Sequence, residues 1–166
     1  MRRRRGPIEM RNLCALVGGI FLTLGVCVSW ASGLPDPHPT QLVVETRTGP
    51  VAFSVEVAST PEQRAIGLMN RPEMASERGM LFRFEQTRDV LMWMKNTFLP
   101  LDMVFIREDG VVAGIAENTV PFSEAIVASP GPVRYVLELN AGVSARSGIA
   151  AGDTVRHPAI LQAGTP

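Results

Sequence analysis

The chain has 166 residues, a hydrophobic fraction of 46%, and 16 basic residues against 16 acidic ones. That length suits one domain with a sizeable apolar core. Two histidines and two cysteines leave almost no material for a histidine triad or a multi-histidine metal centre.

The charge balance hides an asymmetry. Arg2, Arg3, Arg4, Arg5 and Arg11, opposed only by Glu9, precede an apolar run over residues 13–30, which closes on Ser29-Trp30-Ala31. A basic start, an apolar stretch and small residues at the end read as a secretory signal cut after Ala31. An uncleaved N-terminal membrane anchor is the alternative, because the run is long for a signal and slightly short for a spanning helix. Both versions place the domain across a membrane, periplasmic or secreted. Without residues 1–31, 11 basic residues face 15 acidic ones, a net charge of −4. Phosphates would be repelled, so nucleic acid is not an expected partner. Cys14 and Cys27 both lie in the leader, which leaves the domain no disulfide and no thiolate ligand. No cofactor or metal is expected, and the domain is read as a monomer.

Residues 32–40 carry Pro35, Pro37 and Pro39 and form an extended linker. Val51, Phe53, Val55 and Val57 then alternate with polar or small residues, a half-buried strand. With the turn Arg47-Thr48-Gly49-Pro50 before it, this predicts a hairpin of 42–46 and 51–58. Thr60-Pro61-Glu62-Gln63 is a capping box with proline in the first turn, and Gly67 ends the helix it opens. Strands are predicted over 80–84, 90–95, 102–107, 111–116, 124–128, 133–140 and 153–157. Asp109-Gly110 favours a tight hairpin, and 140–152 is a loop with room for one helical turn. The sum is an all-β domain over 41–158, a compact sandwich or barrel-like fold with one or two short helices. Residues 159–166 are read as a tail.

Six blocks occur in order: "TPEQRAIGLMNRPEM", "GMLFRFE", "WMKNTFLPLDMVFI", "DG", "YVLELNAG" and "GIAAGD". In these the chain resembles the bacterial and archaeal family known as domain of unknown function 192, over residues 41–157. The resemblance implies a compact β-sandwich-like fold with a short helix after the first hairpin, and often an exported location. It implies no activity. Met92 departs from the pattern, standing where the family more often has an aromatic residue before Trp93.

Lys95 is the only lysine in the chain and sits in an apolar run. Alternation turns Leu91, Trp93 and Lys95 one way and Val90, Met92 and Met94 the other. It also turns Asp102 away from Leu101 and Met103, and Glu138 away from Leu137 and Leu139. The structural reading pairs Arg64 with Glu138 and Lys95 with Asp102, because charges leave water only when paired. A sharper reading gathers Arg64, Arg71, Trp93, Lys95, Asn96, Asp102 and Glu138 around one pocket for a small anionic or sugar-like ligand. The domain is then a binding or accessory module of the cell envelope. An enzyme using Asp102 and Glu138 as acid and base, or Lys95 as an amine nucleophile, on an envelope carbohydrate or small carboxylate is one alternative. A structural assembly partner is the other. The methionines read as core filling.

Overall fold

The computed structural model describes residues 40–161. The leader, nearly all of the linker and residues 162–166 lie outside them. β1 (Thr40–Thr46) and β2 (Gly49–Ala58) form the expected hairpin, Thr46 opposite Gly49. In α1 (Pro61–Ile66) the Thr60 hydroxyl accepts from the Gln63 amide, and the Gln63 side-chain oxygen accepts from the Thr60 amide. The capping box read from sequence therefore closes in both directions. Gly67 ends the helix at a φ of 48°, and a Cβ there would come within 2.9 Å of the Phe82 ring. Glycine is required twice, once for the backbone and once for space.

The α1 segment carries the chain across so that β3 (Arg78–Arg88) runs parallel to β2, Val57 opposite Leu81. A tight turn could not make that connection. The remaining elements are β4 (Leu91–Met92), β5 (Leu101–Ile106), β6 (Val112–Ala116), β7 (Val127–Ala128), β8 (Val133–Asn140), α2 (Val143–Arg146), β9 (Thr154–Arg156) and α3 (Pro158–Leu161). β8 inserts between β3 and β5, giving one seven-stranded sheet in the order β6-β5-β8-β3-β2-β1-β9. The sheet curls into a half-barrel, the all-β barrel-like fold expected. Its two edges meet at one end: Val111 bridges Thr154, and the Val155 amide donates to the Gly110 carbonyl at 2.8 Å.

Two predicted strands shrink. Of 90–95 only Leu91–Met92 pairs, with Val127–Ala128 of the predicted 124–128. The chain turns instead, because Asn96 takes a φ of 54° and the Thr97 amide donates to the Met94 carbonyl. A third short helix, α3, also forms, and its Ile160 is buried.

Each face of the sheet buries its own core, as period-two alternation requires. Leu42, Val55, Leu81, Val104, Tyr135 and Leu137 fill the inside of the curl. Met80, Phe82, Phe84, Met103, Phe105 and Val136 face the other way. There they pack against Leu68, Val90 and Met94 from the connecting segments.

Candidate functional site

Glu138 lies mid-strand in β8, with Met80 of β3 on one side and Met103 of β5 on the other. It shares the outer face with both methionines and is 4% exposed. Among the described residues its carboxyl has no hydrogen-bond or ion-pair partner. Burial pushes its pKa up to about 8, because the ionised form would lose its water without replacement. The acid is therefore mainly protonated at neutral pH.

The Glu138 side chain lines a cleft of about 310 Å³. Helix α1 and the turn after it supply Arg64, Leu68 and Met69; β3 supplies Phe82, Phe84 and Arg88; Trp93 and Thr97 come from the segment after β4. Most of the lining side chains are apolar, and Arg64, Arg88, Thr97 and Glu138 are the polar members. Ile66, Leu91 and Trp93 also line the cleft and are 44%, 65% and 47% exposed, so its rim presents apolar surface to water. Phe98 and Phe122, exposed as well, pack as a tilted pair with ring centroids 5.2 Å apart.

Of the seven residues singled out in the sequence, Arg64, Trp93 and Glu138 line this cleft. Arg64 does not pair with Glu138. Its guanidinium donates to the Ser59 carbonyl at 2.7 Å, the Arg83 carbonyl at 2.8 Å and Glu85 at 2.7 Å, and lies over the Phe84 ring. Arg71 faces a separate concavity, where it grips both oxygens of Glu56 at 2.6 and 2.7 Å. That bidentate bond, ahead of the opposing effect of burial, holds the Glu56 carboxyl below its usual range.

Lys95 does not reach Asp102. Its ammonium lies 5.2 Å from the Trp93 ring centre and 3.9 Å from Glu124, and the side chain is 43% exposed. Asn96 is exposed; its carbonyl accepts from the Asn70 amide, so it serves the turn. Asp102 is fully buried on the inner face, one oxygen accepting from the Asn118 amide and the other from the Ser144 amide, each at 3.0 Å. It ties the first turn of α2 to the sheet. Asp102 and Glu138 project from opposite faces of neighbouring strands, a geometry that cannot seat one substrate between them. Among the described residues no group of three His, Cys, Asp or Glu side chains is placed to hold a metal ion.

The sequence reading missed Phe82, Phe84, Arg88 and Thr97 as cleft residues. A signal was present: Met80, Phe82 and Phe84 alternate in a strand that pairs with the one carrying Glu138. Only the pairing shows that they share its face.

A family model described as uncharacterized ACR matches residues 42–157. None of the curated proteins matches. Among the solved structures that resemble the chain are two crystal structures, each with a TM-score of 0.71. A Sinorhizobium meliloti 1021 protein, described as a candidate transcription regulator, is 48% identical over 75% of this chain and 98% of its own. A Novosphingobium aromaticivorans DSM 12444 protein of unknown function is 36% identical over 77% of this chain and 94% of its own.

Proposed function

Since the chain belongs to the DUF192 family, whose description gives no activity, the cleft must carry the functional reading, and we propose that the domain is a small-ligand-binding module of the cell envelope. One observation supports this above the rest: Glu138, 4% exposed and without a hydrogen-bond or ion-pair partner among the described residues, lines a cleft. Acids this deep in a fold are usually paired, so one that instead opens onto a cleft leaves room for a ligand to supply the partner. At about 310 Å³ the cleft lies at the small end of ligand sites, which run from about 300 to 1,000 Å³.

A transcription-regulator role exercised on DNA, for which the description of the S. meliloti protein gives the first half, finds little support here. The sequence beyond residue 31 carries a net charge of −4, whereas DNA readers present basic surface.

Thermal-shift screening of the full chain against sugars, carboxylates and amines tests the proposal. A compound that raises the melting temperature should lose its effect in Glu138→Leu, while Lys95→Ala keeps it. Hits unaffected by Glu138→Leu, or no hit across the three classes, would refute it. Export and a monomeric state belong to the same proposal. Intact mass of the exported protein without residues 1–31, and sedimentation as a single chain, check them.

A further inference from the structure

We infer that the cleft takes an organic amine, a protonated nitrogen on a small apolar body, with the nitrogen against the Glu138 carboxyl. This rests on the ligand-binding reading above and gives it a chemical class. The charged groups lining the cleft are Arg64 from α1, Arg88 from the end of β3, and Glu138 from β8. The strands flanking Glu138 place only Met80 and Met103 beside it, and the segment after β4 adds Trp93 and Thr97. Arg64 is already occupied by two carbonyls and Glu85. Arg88 is exposed, its guanidinium lying 5.1 Å from the Phe84 ring centre.

An anion reaching the floor would therefore meet an acid and leave one negative charge stripped of water. A neutral hydroxyl or amide ligand would be served as well by glutamine, which has the same shape and no ionisation to suppress. A cation is the ligand that draws on the ionised form, which glutamine cannot supply. The ammonium forms an ion pair of zero net charge with the carboxylate, and Phe82, Phe84 and Trp93 supply apolar walls for the ligand's body. In balance, the carboxylic acid gives its proton to solvent as the ammonium arrives, so each ligand bound at neutral pH releases about one proton.

Three probes of equal size separate the classes on the full chain: cyclohexylmethylamine, cyclohexylmethanol and cyclohexanecarboxylate. Titration calorimetry of the amine at pH 7, in phosphate and in Tris, should differ by the ionisation heat of about 0.9 proton released, given an acid titrating at about 8. Amine affinity should rise about ninefold from pH 6 to 7 and about fivefold from pH 7 to 8. Glu138→Gln should weaken the amine about tenfold or more at pH 8 and leave the alcohol unchanged. Amine binding without proton release, or indifferent to Glu138→Gln, overturns the inference. If the alcohol or the carboxylate shifts the methyl signals of Met69 and Met92 while the amine does not, the amine class falls and the binding module stands. If all three leave those signals unmoved, both fall.

Discussion

Asp102 and Glu138 are both buried acids on neighbouring strands, yet they have opposite lives. On the inner face Asp102 uses each oxygen to accept a backbone amide, so its burial completes the fold. On the outer face Glu138 has no such partner among the described residues, and its burial costs the fold stability. Burial alone therefore does not mark a site. What distinguishes the two is satisfaction of hydrogen-bonding capacity.

The largest effect is expected from Asp102→Ala. It strands two amides and should destabilise the domain by about 2–5 kcal/mol in urea unfolding. A loss under about 1 kcal/mol would mean that the inner carboxylate is dispensable and the contrast false. Glu138→Gln should act in the opposite sense. A folded pKa raised from 4.5 to about 8 gives stability that is full below pH 4.5 and lost as pH rises through 8. The variant lacks that loss, so it should be more stable than the parent by a few kcal/mol at pH 8 and equal to it near pH 4.5. A melting-temperature difference that stays constant across that range would contradict the assignment.

Arg71→Ala breaks a half-buried bidentate pair and should cost about 1–2 kcal/mol at pH 7. With the Glu56 pKa lowered, the contribution is present above the usual carboxylate range and fades as pH falls through it, so the penalty should shrink toward pH 3 in chemical denaturation. Lys95→Ala is expected to shift stability by no more than about 0.5 kcal/mol, since both members of its ion pair are well exposed. A larger change by the same measurement would make the lone lysine a structural residue after all.

Local chemistry was legible in the sequence. Thr60 and Gln63 announced the helix, Gly67 its end, and the alternation of 133–140 a strand with those bounds. Alternation even survived where pairing failed: Val90 and Met94 are buried while Leu91 and Trp93 are exposed. Relations between strands were not legible. A period of two states which side chains share a face of one strand, and is silent about which strand lies beside it or in which direction. Hence the parallel pairing of β2 with β3, the insertion of β8 between β3 and β5, and the facing of Glu138 toward Arg64's helix had to come from the fold. The charge partners failed for a related reason. Arg64 and Lys95 found Glu85 and Glu124, exposed acids that no spacing in the sequence tied to them.

The edge-to-edge bridge between Val111 and Thr154 has a consequence for the order of events during folding. β9 is the last strand of the sheet in the chain, and until it is in place β1 lacks one neighbour and the rim near β6 stays open. Unpaired strand margins are templates for another chain. A nascent or truncated polypeptide ending before residue 153 would thus present a sticky seam, and a holding chaperone would be most useful in that interval.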